Sequence, residues 1–348
     1  MNHFNWKNKV AILIACLYSF SGFTQITPGE LKQFISVSKY TGNTEIREFY
    51  ARMNYNTTWI QNENTLNRSI FLNTLKLSGE KGLRESDYLP PFSENSPWKN
   101  NVTDSMEAEL RITEAAIKFY NDIAYGNTKT GFGYNGLDYI PGCKNIPQLL
   151  ADHILKNELQ LLITRVSPPF PEISAIENKI RWFINVMSDS NFRETSIIST
   201  KKLSPNIPLI SKLYQLGIIE SATTDLPDST LKKKIKEAQQ LFNLLPDGVL
   251  RSTILQELNI PLSVRLKQLN LSVNYYRWLY CLLQNQSVIV VNIPAAYLKV
   301  YHNKDIVLEM RVIAGKRSTP TPTLASTVNE VILYPYWHVP YRIATKEL

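Results

Sequence analysis

Ser287-Val288-Ile289-Val290-Val291-Asn292-Ile293-Pro294 opens the stretch whose reading decides the fold. Upstream, apolar residues recur at helical spacing. After Gln284-Asn285-Gln286 the period changes to two. A β-branched run bounded by polar residues and Pro reads as a buried strand. Tyr297–His302 follows, with Leu298 and Val300 on one face and Lys299 opposite. Asn303-Lys304-Asp305 makes a turn, Ile306–Ile313 returns with Glu309 and Arg311 outward, and Glu330–Leu333 reads as a further strand. Residues 287–348 therefore begin an antiparallel β-domain.

Outward from that stretch, residues 263–286 form a connecting helix rich in Leu, Tyr and Trp. Residues 204–262 make a small module of three helices, Leu209–Leu216, Ser229–Leu244 and Ser252–Leu258. Leu231, Ile235, Ala238, Leu241 and Phe242 lie on the apolar side of the second, and Asp247-Gly248 is a tight turn before the third. Residues 27–195 are mostly helical. Asp104 with Glu107 resembles a capping box. The helix it opens carries Met106, Leu110, Ile117, Tyr120 and Ala124 on one stripe, and Gly126 ends it. Gly131–Gly142 is loop, Leu149–Leu162 a helix, Pro168-Pro169-Phe170-Pro171 a break and Ile173–Met187 a helix.

With 44% hydrophobic residues the 348-residue chain can bury a core, which sets disorder aside. The formal charge is +8, or +6 without Lys7 and Lys9, a balance that suits an anionic partner: nucleic acid, acidic lipid or a carboxylate-bearing polymer. The densest run, Lys232-Lys233-Lys234-Ile235-Lys236, reads as a solvated helix face. Lys7 and Lys9, the apolar run Val10–Phe20, and Ser19, Ser21 and Gly22 form a secretory signal over residues 1–22. The run is shorter than a membrane span. An uncleaved anchor, or lipidation at Cys16 after Leu13-Ile14-Ala15, stays open. Export argues against nucleic acid as partner, as does the scatter of the basic residues.

Cleavage would leave Cys143 and Cys281. Cys281, in Trp278-Leu279-Tyr280-Cys281-Leu282-Leu283, reads as a buried thiol, and a Cys143–Cys281 bridge stays open. There is no CxxC or HExxH. His3, His153, His302 and His338 have no metal-ligand spacing, so neither a metal nor another cofactor is expected.

In order, Val291-Asn292-Ile293-Pro294, Leu298-Lys299-Val300-Tyr301, Arg311-Val312-Ile313-Ala314-Gly315-Lys316, Thr319-Pro320-Thr321-Pro322 and Pro335-Tyr336-Trp337-His338-Val339-Pro340 resemble the periplasmic L,D-transpeptidases of the large, scaffolded kind, with a YkuD-type catalytic domain. Phe49-Tyr50-Ala51-Arg52, Gly82-Leu83, Asp87-Tyr88 and Glu109-Leu110-Arg111 resemble that family's helical scaffold. Ile235 to Phe242 and Pro246-Asp247-Gly248-Val249-Leu250 resemble a three-helix peptidoglycan-binding module, although Arg251 stands where a Gly usually follows. The resemblance implies a multidomain α+β protein: an all-helical scaffold, the small module, then the first strands of an antiparallel catalytic domain.

It also implies the chemistry. A cysteine thiolate attacks the carbonyl of the third stem-peptide residue and expels the terminal D-alanine. The resulting thioester is resolved by a neighbouring stem's amine, giving a 3-3 cross-link. Partners would be stem peptides and glycan strands, in the periplasm or cell envelope of a Gram-negative bacterium. Such enzymes carry the nucleophile in a Ser-His-Gly-Cys segment well downstream of the Pro-Tyr-Trp signature, with a His shortly before it. Neither occurs by Leu348, so no catalytic residue is expected within the chain, which reads as an inactive fragment of a longer one. Tyr336 and Trp337 are candidate substrate-binding residues, against a role in packing the sheet end. Lys316 and Arg317 could meet substrate carboxylates or form a solvated loop. The rival reading is a non-catalytic peptidoglycan-binding protein of the cell envelope. Nothing in the chain sets an oligomeric state.

Overall fold

A computed structural model describes residues 26–60, 65–89, 101–128, 141–197, 207–221, 226–284, 286–316, 318–336, 339, 341 and 345. The segment 1–22 expected as a secretory signal, with Cys16, most of the Gly131–Gly142 loop, Arg317, Trp337 and His338 lie outside the described residues. Among those described, eleven α-helices precede three antiparallel strands, an α+β architecture. The helices are α1 Pro28–Val37, α2 Thr44–Arg52, α3 Thr65–Leu75, α4 Val102–Tyr125, α5 Ile146–Leu155, α6 Leu159–Val166, α7 Pro171–Ser188, α8 Ile207–Gln215, α9 Asp228–Leu241, α10 Ser252–Leu258 and α11 Leu262–Leu282. The strands are β1 Val288–Asn292, β2 Tyr297–His302 and β3 Asp305–Arg311. The chain divides into a helical unit, which runs to Thr128 and resumes from Pro141 to Cys281, and a second unit that holds the strands.

Local chemistry sets the helix ends. Thr27 and Glu30 close a reciprocal capping box on α1. α4 begins earlier than the Asp104–Glu107 spacing predicts. Asn101 is the cap, accepting from the Asp104 N–H at 2.7 Å, and Glu107 instead pairs with Lys39 and Arg111. The Met106–Ala124 stripe is buried as predicted. The helix predicted over Leu149–Leu162 is two helices. Asn157 adopts φ 58° and the Glu158 N–H bonds His153 O at 2.7 Å, which turns the chain between α5 and α6.

The core of the first helices is aromatic. Phe71 lies 5.8 Å from Trp59 and 6.1 Å from Phe119, and Tyr88 meets Phe119 edge-on at 5.3 Å. Each fully buried ring of this kind contributes roughly 2–3 kcal/mol by burial. On the same α4 face sits Glu109, which is fully buried. Its carboxylate accepts from the backbone N–H groups of Thr58, Trp59 and Ile60 at 2.5, 3.0 and 3.2 Å, and from Tyr50 Oη at 3.0 Å. Thr113, one turn on, meets Tyr50 Oη at 2.7 Å and accepts from Trp59 Nε1 at 2.9 Å. One acid thus satisfies the turn after α2, whose backbone donors would otherwise be buried unpaired.

The three helices α8–α10 share one core. Leu209, Leu213, Leu231, Ile235, Ala238 and Leu258 pack with Phe183 of α7, Ile197 and Leu262 of α11. Buried Lys212 pairs with Glu194, whose other oxygen accepts from Leu262 N–H at 3.2 Å. The Asp247-Gly248 turn forms, with Gly248 at φ 76°, and buried Gln239 reads it. Gln239 Oε1 accepts from Gly248 N–H at 2.7 Å, and its amide donates to Val249 O at 3.0 Å. Leu241 is 61% exposed, contrary to its expected place on the apolar side; Gln239 faces inward near that end of α9. Lys232, Lys233 and Lys236 are exposed, a solvated face as predicted.

Burial pushes the Glu109 carboxyl up to about 7, against the three N–H donors and Tyr50. Its folded pKa lies above its unfolded value, so this group's contribution to stability is greatest at low pH and falls as pH rises from about 4.5 through about 7. The expected loss is about 3 kcal/mol. Denaturant unfolding at pH 5 and pH 8 checks it: the wild type should lose stability over that interval, and Glu109→Gln should flatten the slope.

Candidate functional site

Two places concentrate chemistry: the strand unit, and the polar cluster that holds α11. In the strand unit the order is β1-β2-β3, all antiparallel. Pro294 sits second in the β1–β2 turn, where Ala296 N–H bonds Ile293 O at 3.1 Å. Asn303 and Lys304, at φ 48° and 75°, form the two-residue β2–β3 connection, so Asp305 already belongs to β3. Register puts Ile289 opposite Val300, Val291 opposite Leu298, and Leu298 and Val300 opposite Met310 and Leu308. These six residues form one apolar face. On the other, Lys299 stands 3.9 Å from Glu309.

The strand expected at Glu330–Leu333 does not form. Val331, Ile332 and Leu333 are 76%, 64% and 78% exposed, and β3 is the last strand in the ladder. A lone β-prone segment without a neighbour has no cross-strand bonds to hold it extended. Tyr336 is also solvent-facing, at 91% exposure, and Lys316 is exposed. The Gly315–Thr321 loop folds on itself, Gly315 N–H donating to Thr321 Oγ1 at 2.7 Å. His302 Nδ1 lies 2.8 Å from Ser287 Oγ, and His153 Nδ1 lies 2.7 Å from Leu149 O; neither His partner is a thiol. Among the described residues no group of three His, Cys, Asp or Glu side chains could hold a metal ion.

The polar cluster lies inside the helical unit. Arg277 of α11 is fully buried, and its Nη2 bonds Glu177 Oε1 at 2.9 Å. The other oxygen of Glu177 takes Lys81 Nζ at 2.6 Å. Arg277 Nη1 donates to Asn274 Oδ1 at 3.2 Å, and Asn274 Nδ2 donates to Gly82 O at 3.1 Å. Asn274 Oδ1 also accepts from Asn127 N–H at 3.2 Å. Gly126, at φ 76°, lies so close that a Cβ there would stand 2.3 Å from Asn274 O, so only glycine fits. Burial lowers the Arg277 pKa, and Glu177 opposes that shift. The sequence signal for these groups was their spacing. Glu109 falls between Met106 and Leu110 on the buried stripe of α4, and Arg277 between Val273 and Tyr280 on α11. A charge on an apolar stripe needs a partner, but spacing alone does not name it.

Cys143 and Cys281, the latter expected as a buried thiol, are joined in a disulfide with Cα atoms 5.5 Å apart. The bridge closes a sequence separation of 138 residues, worth about 4–5 kcal/mol against the unfolded chain in the loop-entropy account. Neither described cysteine is therefore available as a nucleophile. A cleft of about 420 Å³ opens beside α2 and α5, lined by Glu45, Glu48, Asn121, Tyr125, Lys144 and Asn145. Two of its acids are engaged: Asn121 Nδ2 donates to Glu45 at 2.9 Å and Asn145 Nδ2 donates to Glu48.

The comparisons with known proteins fall on the same two regions. Residues 44–177 match the family model described as Scaffold domain. Residues 286–348 match the one described as L,D-transpeptidase catalytic domain, YkuD, and contain all three strands. A protein of Haemophilus influenzae (strain ATCC 51907 / DSM 11121 / KW20 / Rd) named "Putative L,D-transpeptidase" is 40% identical over 60 residues. The aligned stretch covers 17% of this chain and 12% of that relative. The chain thus carries, in order, a Scaffold domain and a stretch of YkuD L,D-transpeptidase catalytic domain, as the sequence motifs imply.

Replacing Arg277 by Met should leave the buried Glu177 with Lys81 alone and cost about 3 kcal/mol in urea unfolding followed by tryptophan fluorescence. Adding Glu177→Leu should return part of that loss, because the uncompensated charge goes with it.

Proposed function

We propose that the chain belongs to peptidoglycan L,D-transpeptidation: acyl transfer through a cysteine thioester that yields 3-3 cross-links between stem peptides. The observation that carries this reading is the coincidence of the matched stretch 286–348 with the place where helix gives way to an antiparallel meander. On this reading Tyr336 and Trp337 line the stem-peptide site. The helical unit carries the catalytic stretch on α11, and residues 204–262 act as a peptidoglycan-binding module. The protein works in the cell envelope after export through residues 1–22. Among the described residues no helix is long and apolar enough to cross a membrane.

The nucleophile and its base come from neither Cys143 nor Cys281, which are bonded to each other, nor from His153 or His302. A non-catalytic role in binding peptidoglycan is the second reading, favoured by that disulfide.

Incubating the purified 348-residue chain with disaccharide-tetrapeptides and analysing the products by mass spectrometry separates the two readings. Formation of 3-3 dimers would carry the first reading and overturn the exclusion of Cys143 and Cys281 as nucleophile. Their absence, with sedimentation of the chain on purified sacculi retained, would leave only the binding role.

A further inference from the structure

The Cys143–Cys281 bridge occupies a particular place in the chain. Cys281 is the last residue of the helical unit, and Cys143 comes two residues after the chain re-enters that unit at Pro141. The earlier exit, after Thr128, is held by the same helix through Asn127 N–H on Asn274. Every passage of the chain out of or into the helical unit is thus fastened to the last three turns of α11.

The fastenings differ in kind. Four residues before Cys281, Arg277, itself fully buried, is locked by the buried Glu177. Beyond Arg277, the end of α11 is held by Tyr280, whose ring meets Phe170 edge-on at 5.4 Å and lies 5.3 Å from Lys144 Nζ. Lys144 is itself moored: its N–H donates to Tyr125 Oη at 2.9 Å and its ammonium donates to Val166 O at 2.5 Å. These are single contacts of modest strength, and they add to the burial of Leu279, Leu282 and Leu283. The covalent bond is the tie in this stretch that a thiol can open, and of its two residues Cys143 is exposed while Cys281 is buried.

We propose that this disulfide is a thiol-switchable clasp: closed, it fixes the end of α11 to the 141–145 segment, and opened by a dithiol it frees both while the rest of the helical unit stays folded. One thiolate of the dithiol attacks the Cys143 sulfur. The S–S bond breaks, a mixed disulfide forms on Cys143, and Cys281 leaves as a thiolate that takes up a proton. The second thiol of the reductant then attacks its own sulfur in the mixed disulfide, and Cys143 is released and protonated. Two electrons and two protons pass to the protein, and the dithiol becomes a cyclic disulfide. Release stops at Arg277, because fraying further would strip a buried guanidinium of the carboxylate bonded to it. The clasp thereby sets how firmly α11 hands the chain to the stretch that matches the catalytic domain.

The test uses the full 348-residue chain, titrated with dithiothreitol under native conditions. Alkylation and peptide mapping follow Cys143 and Cys281 separately from Cys16, and hydrogen exchange is read by mass spectrometry. Reduction should leave the far-ultraviolet circular dichroism unchanged. Exchange should rise at least about tenfold over 141–145 and 278–284, and stay within about twofold over 106–120 and 270–277. Cys143→Ser should reproduce the reduced pattern without reductant. The proposal fails if the bridge yields only when the whole unit unfolds, or if reduced and oxidised chains exchange alike over 278–284.

Discussion

The buried pair between Arg277 and Glu177 is the constraint on which the rest of the helical unit depends. A guanidinium taken wholly out of water is tolerable only with a charge partner and further bonds, and the network that joins it draws on several parts of the chain. Glu177 lies on α7, Lys81 in the turn before Gly82, and Asn274 on α11 itself, reaching Gly82 and Asn127. The helix that leads to the strands is therefore fixed by polar geometry as well as by apolar area, in keeping with the weak amphipathic character of its sequence.

Glu109 repeats the same logic at the other end of the unit. There the carboxylate gathers backbone donors instead of a cation, and it orders a turn that has no regular structure of its own. Between the two acids runs an aromatic core that would accept many rearrangements of similar volume. The polar groups narrow the choice, because each tolerates few geometries. Glu194 does so for α8–α10, binding Lys212 and the first turn of α11 at once.

Periodicity made the architecture legible. The change from helix to strand at 287, the apolar stripe of α4, the Asp247-Gly248 turn and the order of the C-terminal motifs were all open to reading, and the domain comparisons fall where those motifs lie. What stayed hidden depended on contacts between distant residues. Asn101 caps α4, accepting from the Asp104 N–H, where the sequence pointed to Asp104 itself. Asn157 breaks a continuous amphipathic pattern by adopting a left-handed conformation that the pattern does not encode. Glu330–Leu333 has the composition of a strand but no paired neighbour among the described residues, and strand formation is decided by the neighbour. The partners of Glu109 and Arg277, and the pairing of Cys143 with Cys281, lie dozens to more than a hundred residues away, beyond the reach of any window along the sequence.

The bridge also carries a schedule. Chains are made from the N-terminus at about 5–20 residues per second, so Cys143 precedes Cys281 by roughly 7–28 seconds. Through that interval α5 to α10 are made while the partner of the Cys143 thiol is still to come. Cys16, made earlier still, is the competing thiol in the sequence during that wait. The fate of the first residues of the chain therefore bears on how faithfully its last helix is fastened.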